Sequence, residues 1–181
     1  GSCPRIVMAL TSVEDCFYGI MHAFNIAEQF QIPVIVLSDQ SLGHRKATVP
    51  KPEPSKVAII NRRMPTPEEL RQDYKRYRLT ADGISPMAIP GLEGGYYVAE
   101  GLEHDEIGYP AASNHENHLR MTQKRYAKFQ AVEAIANDLV KQYGVEHPEI
   151  GIISWGSTEG GVREAVQMAI DKGYSVGALH P

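Results

Sequence analysis

Histidine and acidic side chains lie close together in two neighbouring stretches of this sequence. They are Glu103, His104, Asp105 and Glu106 in the first stretch, and His115, Glu116 and His118 in the second. Side chains of these types bind divalent metals or transfer protons. Helical zinc sites space two histidines four apart, with a glutamate after the first, whereas His115 and His118 are three apart. The spacing therefore favours a polar loop, and we assign no metal ligand and no catalytic residue from it.

A glycine-rich turn with hydroxyl side chains, GSTEGG, occurs at residues 156–161. Such a turn before a helix can hold a phosphate group through backbone N–H groups. This one lacks the lysine of a P-loop and does not follow the G-x-G-x-x-G pattern. Glu159 would also occupy the positive end of the helix dipole and repel phosphate. The residues indicate a tight turn capped by the hydroxyls of Ser157 and Thr158, with no cofactor-binding residue.

Cys3 and Cys16 are the thiols available as nucleophiles. They do not form a C-x-x-C pair, and Cys16 falls beside the apolar face of a predicted helix with no cationic neighbour to activate it. The sequence also lacks the G-x-S-x-G turn of serine hydrolases. Two cysteines cannot build a disulfide framework, so we expect a reducing, cytoplasmic location.

The overall composition excludes several classes of protein. The 181 residues are 43% hydrophobic and 22% charged, which is too apolar for a disordered tail. No run of about 18 apolar residues is present to span a membrane. The formal net charge of −4 argues against a nucleic-acid surface. We expect a globular α/β protein that binds neither nucleic acid nor membrane.

The positions of these side chains depend on alternating strands and helices. Residues 5–10 form an apolar run, residues 13–30 carry apolar side chains at helical spacing, and residues 33–37 form a second apolar run. This order predicts a βαβ unit with two parallel strands. Ser38, Asp39 and Gln40 then lie at the carboxyl end of a strand, which is the edge where open parallel sheets bind ligands.

The middle of the chain is less regular. Proline at every second position from Pro50 to Pro54 stiffens residues 41–56, which we interpret as an interdomain linker. The further expectations for this part are strands at residues 57–60 and 96–99, a helix that begins at Thr66-Pro67, and an irregular polar loop at residues 101–114.

The last part of the chain predicts a long helix and a final βαβ unit. Apolar residues at steps of three and four extend from about His115 to Gly144, where glycine supplies the helix end. A strand at residues 150–154, a helix at 158–172 and a strand at 174–179 complete the pattern.

Both ends of the chain look cut. Gly1-Ser2 is typical of a cloning remnant, and the sequence stops two residues after the final predicted strand. Residues 1–40 alone would form two strands and a helix, which is too little core to fold independently. We therefore expect a truncated α/β protein without a complete active site.

Several segments resemble the α subunit of the 2-oxoacid:ferredoxin oxidoreductases, in the family's order over nearly the whole chain. The segments are PRIV at 4–7, SVED at 12–15, AFNIAE at 23–28, PVIVLSDQ at 33–40, YRLTADGISP at 77–86, PG at 90–91, GG at 94–95, GLEHDEIG at 101–108, RM at 120–121, KR at 124–125 with Lys128, and SWGSTEG at 154–160. The EHDE run and the WGST turn are fairly specific to this family. QSLG at residues 40–43 favours 2-oxoglutarate enzymes over pyruvate enzymes.

The resemblance implies a domain arrangement. Residues 1–40 would be the last βα unit of the domain that holds the thiamine pyrimidine, and residues 41–56 would be the linker. Residues 57–181 would be an incomplete second domain, similar to the C-terminal domain of transketolase-like enzymes.

The resemblance also implies a reaction. Thiamine diphosphate adds to a 2-oxoacid, carbon dioxide leaves, electrons pass through iron–sulfur clusters to ferredoxin, and coenzyme A takes the acyl group. The implied cofactors of the holoenzyme are thiamine diphosphate, Mg²⁺ and 4Fe–4S clusters, none of them held by this chain alone. The implied partners are a β subunit, with γ and δ subunits where present, ferredoxin and coenzyme A.

The chain departs from the family in what it lacks. It has no Tyr-Pro-Ile-Thr-Pro segment and no counterpart of the arginine that meets the substrate carboxylate, and two cysteines cannot hold a four-cysteine cluster. We therefore transfer no catalytic residue and expect an isolated chain without activity, with a structural and assembly role. Its residues at the edge of an assembled active site would be Glu103, His104, Asp105, Glu106, Ser157 and Thr158.

Two alternatives remain open. One is a stand-alone, non-catalytic interaction module that kept the fold. The other is a small metal-dependent enzyme that uses the regions of His104 and His115.

Overall fold

A computed structural model describes residues 3–181, so Gly1 and Ser2, which we interpret as a cloning remnant, lie outside the described residues. Its elements in chain order are β1 (Ile6–Ala9), α1 (Val13–Phe30), β2 (Val34–Leu37), α2 (Gln40–His44), α3 (Pro67–Gln72), α4 (His115–Ala127), α5 (Phe129–Leu139), β3 (Lys141–Gly144), β4 (Ile150–Ile153), α6 (Glu159–Asp171) and β5 (Val176–His180). Short 3₁₀ turns cover Pro54–Lys56 and Gly156–Thr158. This mixture of helices and parallel strand pairs confirms the α/β class.

The described residues divide into two compact units. The first unit holds residues 3–4, 25–33 and 60–133, and the second holds residues 5–24, 34–59 and 134–181. All five named strands lie in the second unit, whereas the first is built from helices and loops.

The first βαβ unit forms as the sequence predicts. Strands β1 and β2 pair in parallel, with Ile6 opposite Val34. The start of α1 is held by Ser12, whose Oγ accepts a hydrogen bond from the backbone N–H of Asp15 at 3.1 Å. This contact satisfies one of the unpaired N–H groups of the first helical turn.

The second unit also contains a three-stranded sheet with the order β3-β5-β4. β4 and β5 are parallel, which confirms the predicted final βαβ unit, while β3 is antiparallel to β5. Val166 of α6 packs with Val176 and Ala178 of β5 to form the buried core, and Tyr143 and Ile152 pack against it. Successive residues of a strand face opposite sides, so one face of this sheet is covered by α6.

The expected helix from His115 to Gly144 is wrong in its last part. The helical hydrogen bonds are interrupted at Lys128, between α4 and α5, and α5 ends at Leu139. Lys141–Gly144 instead forms β3, which pairs with β5. Gly144, with φ +80°, is the last residue of this strand and does not end a helix. Pairing with β5 satisfies the backbone N–H and C=O groups of these residues as a helix would, and this tertiary contact overrides the local helical pattern.

Two predicted strands do not form, and the predicted linker contains a helix. Residues 57–60 form no strand, and the backbone N–H of Ile60 donates to the Asn25 side chain at 2.9 Å. Residues 96–99 form no strand either, and Tyr97 packs edge-on against Tyr74 and Tyr77. α2 begins at Gln40 and extends into residues 41–56, and it buries one side chain, that of Leu42.

The predicted helix start at Thr66-Pro67 is confirmed. Thr66 and Glu69 form a capping box, in which each side chain accepts a hydrogen bond from the other residue's backbone N–H. Pro67 occupies the first helical position, where its missing N–H costs nothing.

Candidate functional site

The carboxylate of Asp105 shapes the last part of the loop at residues 101–108 in the first unit. Oδ1 of Asp105 accepts hydrogen bonds from the backbone N–H groups of Ile107, Gly108 and Tyr109 at 2.9–3.0 Å. Gly108 has φ +96°, a conformation that favours glycine. Asp105 is therefore engaged in shaping the loop.

Glu103 anchors the same loop to α4. Its carboxylate accepts hydrogen bonds from both terminal nitrogens of Arg125, at 3.0 and 3.3 Å, and lies 2.6 Å from Nδ1 of His118. The hydrogen bonds from Arg125 lower the pKa of Glu103, although burial opposes them. A bidentate arginine pair of this kind fixes geometry as well as charge.

Glu106 connects the loop to the segment before it. Oε1 of Glu106 accepts from the backbone N–H of Leu79 at 2.9 Å, and its carbonyl accepts from the N–H of Tyr77 at 2.9 Å. The three carboxylates of this run thus have three different sets of partners, which are backbone N–H groups for Asp105 and Glu106 and the Arg125 side chain for Glu103.

His104 differs from its three acidic neighbours. Its ring lies 3.9 Å, centroid to centroid, from the ring of Tyr77. Nδ1 lies 2.9 Å from the carbonyl oxygen of Asp105. A carbonyl can only accept, so Nδ1 donates to it, and in the neutral ring the lone pair is on Nε2. Within residues 3–181, the hydrogen bond of the His104 ring is made by Nδ1, which leaves Nε2 available to a group outside the loop.

The turn at Gly156–Thr158 in the second unit is built around another aspartate. Oδ2 of Asp39 accepts from the backbone N–H of Ser157 at 2.6 Å, and Oδ1 accepts from the N–H of Leu42 at 2.8 Å. The Ser157 N–H is the main reason why the pKa of Asp39 is lowered. Gly156 has φ +67°, and a Cβ there would lie 2.6 Å from Oδ2 of Asp39. A carboxylate of this chain therefore occupies the turn where a phosphate would sit.

Thr158 and Ser154 complete this turn. The hydroxyl of Thr158 donates to the carbonyl of Trp155 at 2.7 Å. Oγ of Ser154 lies 2.8 Å from Nδ1 of His180, and Nε2 of His180 lies 3.1 Å from the carbonyl of Gly156. The carbonyl requires a proton on Nε2, so Nδ1 accepts from the serine hydroxyl. His180 is 1% exposed, and we interpret this pair as a support for the turn.

Glu159, at the start of α6, belongs to a separate network. Its carboxylate accepts from the Tyr143 hydroxyl at 2.5 Å and from Nζ of Lys141 at 3.0 Å. Burial raises the pKa of Glu159, but these hydrogen bonds outweigh it and lower the pKa to about 2. Burial, together with the hydrogen bond to Glu159, raises the pKa of Tyr143 to about 12.

The structure groups the predicted site residues into two sets. Glu103, His104, Asp105 and Glu106 share one loop of the first unit, and Ser157 and Thr158 share one turn of the second. Of the second stretch of histidines, His118 joins Glu103, whereas His115 is exposed at the start of α4. Within residues 3–181, no three histidine, cysteine or carboxylate side chains are grouped as a metal site.

Sequence reasoning missed His180. His180 ends the last strand, 26 residues after Ser154, so no local spacing connects them. The available signal was topological, because the carboxyl ends of neighbouring parallel strands meet at one edge of a sheet. No helix in the described part of the chain is both long and apolar enough to cross a membrane.

The alternating strands and helices define an α/β protein, and comparison with protein families gives its family. The family described as pyruvate flavodoxin/ferredoxin oxidoreductase, thiamine diP-binding, matches residues 2–124. The match covers more than half of the chain, which therefore belongs to this family. The resemblance predicted from the sequence motifs is confirmed.

Curated relatives and a solved structure agree with this assignment. The chain is 36% identical over 177 residues to 2-oxoacid:ferredoxin oxidoreductase 2, subunit alpha, from Aeropyrum pernix. It is 34% identical over 182 residues to 2-oxoglutarate synthase subunit KorA from Methanothermobacter thermautotrophicus. A solved 2-oxoglutarate:ferredoxin oxidoreductase from Magnetococcus marinus, with 2-oxoglutarate, coenzyme A and succinyl-CoA bound, superposes with a TM-score of 0.86 at 43% identity.

These proteins are longer than the chain described here. The matches cover 96%, 99% and 98% of this chain, but 27% of the Aeropyrum subunit, 46% of the Methanothermobacter subunit and 30% of the Magnetococcus chain. This chain thus spans less than half of each relative.

Proposed function

We propose that this chain is part of the α subunit of a thiamine-dependent 2-oxoacid:ferredoxin oxidoreductase. The observation that carries the proposal is the match to the Magnetococcus enzyme over 98% of this chain, at 43% identity and a TM-score of 0.86. The reaction would convert a 2-oxoacid and coenzyme A into an acyl-CoA and carbon dioxide, with the released electrons passing to ferredoxin.

The proposed substrate is 2-oxoglutarate. Support comes from the printed names of two kinds of relative, the 2-oxoglutarate synthase subunits and the solved 2-oxoglutarate enzyme. The test is ferredoxin reduction by an assembled enzyme that contains this sequence, with 2-oxoglutarate or pyruvate as the substrate. Faster reduction with 2-oxoglutarate is expected, and a preference for pyruvate would overturn the substrate assignment.

We infer that thiamine diphosphate, Mg²⁺ and the iron–sulfur clusters are held outside this chain. The glycine-rich turn does not fit a phosphate, because Asp39 already accepts from the Ser157 N–H. The proposed partners are the β subunit, γ and δ subunits where present, ferredoxin and coenzyme A.

The proposed role of this chain is structural, with two segments at the edge of the assembled active site. These are the loop with Glu103, His104, Asp105 and Glu106, and the turn with Ser157 and Thr158. The division into residues 1–40, a linker at 41–56 and a second domain at 57–181 stays a prediction. No specific observation favours an interaction module or a metal-dependent enzyme.

Replacing His104 tests the proposed edge. In the assembled enzyme, His104→Ala is expected to lower kcat by about tenfold or more, because it removes the proton-accepting Nε2. His104→Gln keeps a polar side chain, and His147→Ala is the matched control, since His147 is exposed. Unchanged kcat and KM in His104→Ala would remove His104 from the site without touching the family assignment.

A further inference from the structure

Three cationic side chains gather in the first unit. Lys124 lies on α4, and Lys128 follows one helical turn later, so both project from the same side of the helix. Arg76 lies over the ring of Tyr77, with its Cζ 4.9 Å from the ring centroid. Nζ of Lys124 lies 5.9 Å from the same centroid. All three cations are half-buried, so they are partly shielded from water but still reachable.

The two lysines use only neutral acceptors. Nζ of Lys124 donates to the carbonyl of Tyr77 at 3.0 Å, and Nζ of Lys128 donates to the carbonyl of Gln31 at 2.9 Å. An ammonium group has three N–H donors. Each lysine therefore has one protein acceptor and donors to spare.

Arg76 also forms no ion pair with a carboxylate in the described part of the chain. Its Nη2 contacts Sδ of Met87 at 3.3 Å, and its guanidinium faces the rings of Tyr77 and Tyr97. Five other arginines of the same unit are each paired with a carboxylate: Arg62 with Glu28, Arg63 with Asp82, Arg71 with Glu68, Arg78 with Glu69 and Arg125 with Glu103. The ion pairs among residues 3–181 include none with Arg76, Lys124 or Lys128.

Gathering partly desolvated cations of like charge is unfavourable unless an anion joins them. Burial, together with the charges of Lys128 and Arg76, lowers the pKa of Lys124 to about 7, although the charge of Glu106 opposes them. Burial and Arg76 lower the pKa of Lys128 to about 8, although the charge of Asp82 opposes them. A bound oxyanion would relieve this repulsion and accept hydrogen bonds from the remaining N–H donors of the two lysines.

We propose that Arg76, Lys124 and Lys128 form an oxyanion-binding site in the first unit, which takes the phosphate or carboxylate group of a small molecule. The guanidinium fork suits two oxygens of one group, and the two ammonium groups add point charges. The proposal concerns this chain alone and does not depend on the proposed enzymatic function.

The test is calorimetric titration of the full 181-residue chain at low ionic strength, with inorganic phosphate in one arm and succinate in the other. Saturable binding of at least one anion is expected, and the arm that responds identifies phosphate or carboxylate chemistry. Arg76→Met and Lys124→Met are each expected to weaken binding by about tenfold or more. Lys46→Met, at an exposed lysine, is the matched control. Absence of saturable binding up to about 10 mM, or a normal affinity in Lys124→Met, would overturn the proposal.

A second measurement avoids substitutions that could disturb folding. The unaltered chain is treated with acetic anhydride, and acetylation of each lysine is followed by mass spectrometry. The anion that binds is expected to slow acetylation of Lys124 and Lys128 severalfold while leaving Lys46 unaffected. Equal rates with and without the anion at the two lysines would contradict the site.

Discussion

Asp105 and Asp39 each show how one carboxylate can organise several backbone groups. Asp105 accepts from the N–H groups of residues 107–109, and Asp39 accepts from those of Leu42 and Ser157. Carboxylates in a polar loop suggest metal or proton chemistry, but backbone N–H groups satisfy both of these. At the scale of single residues, the carboxylates of Asp105 and Asp39 therefore hold the backbone of the two predicted site segments in place. His104 does not share this role.

Glu159 provides a pH-dependent test at this scale. Its pKa of about 2 in the folded chain lies below the ordinary value of 4.5, so its contribution to stability is present above pH 4.5 and is lost as the pH falls towards 2. Glu159→Gln is expected to lower the free energy of unfolding by about 1–2 kcal/mol at pH 7. Urea unfolding at pH 7 and pH 2 checks this.

The difference between Glu159→Gln and the unaltered chain should largely disappear at pH 2. Glu164→Gln is the control, because Glu164 lies exposed on the same helix. An equal difference at both pH values would mean that the carboxylate charge does not stabilise the network with Tyr143 and Lys141.

At the scale of elements, the two faces of the β3-β5-β4 sheet differ sharply. Ile152 packs against the core formed with Val166, whereas Ile153, the next residue, is 79% exposed. Ile152→Ala is expected to lower the free energy of unfolding by about 2 kcal/mol, because it removes buried methylene groups. Ile153→Ala should change it by less than about 0.5 kcal/mol.

Urea unfolding of these two variants checks the assignment of the faces. The two substitutions remove the same atoms at neighbouring positions, so each serves as the control for the other. A larger loss in Ile153→Ala would mean that α6 covers the opposite face of the sheet.

The sequence predicted elements whose signals are local. The capping box at Thr66 and Glu69 formed as expected, and so did both parallel βαβ pairings, because caps and apolar runs act over a few residues. β3 was missed because Lys141–Gly144 becomes a strand only through pairing with β5. Residues 57–60 have strand-forming side chains but form no strand, so propensity alone misled the prediction there.

The sequence predicted the loop that carries the candidate site residues, but not the contacts that these residues make. Glu103, His104, Asp105 and Glu106 do lie in one polar loop, as the composition of residues 101–114 indicated. Their partners were not predictable, because Arg125 lies 22 residues from Glu103. The contacts of Lys124 and Lys128 were not predictable either, because helical spacing alone does not reveal that they meet the carbonyl groups of Tyr77 and Gln31.

At the scale of the whole molecule, shifted pKa values determine how stability depends on pH. Lys124 and Lys128 have pKa values of about 7 and about 8 in the folded chain, against an ordinary value of 10.5. Between pH 7 and 9 the unfolded chain therefore binds more protons than the folded chain, and these lysines make the free energy of unfolding rise with pH. Burial raises the pKa of Cys16 above its ordinary 9.0, which opposes the rise only near and above that pH.

The expected result is a higher urea midpoint for the full chain at pH 8.5 than at pH 7, at constant ionic strength. The double variant Lys124→Met with Lys128→Met should lose this rise and be more stable than the unaltered chain at pH 7, because it no longer buries two cations. Lys46→Met should keep the rise, since Lys46 is exposed. A midpoint that falls between pH 7 and 8.5, or a double variant that keeps the rise, would mean that the two ammonium groups are better solvated than their burial beside Arg76 indicates.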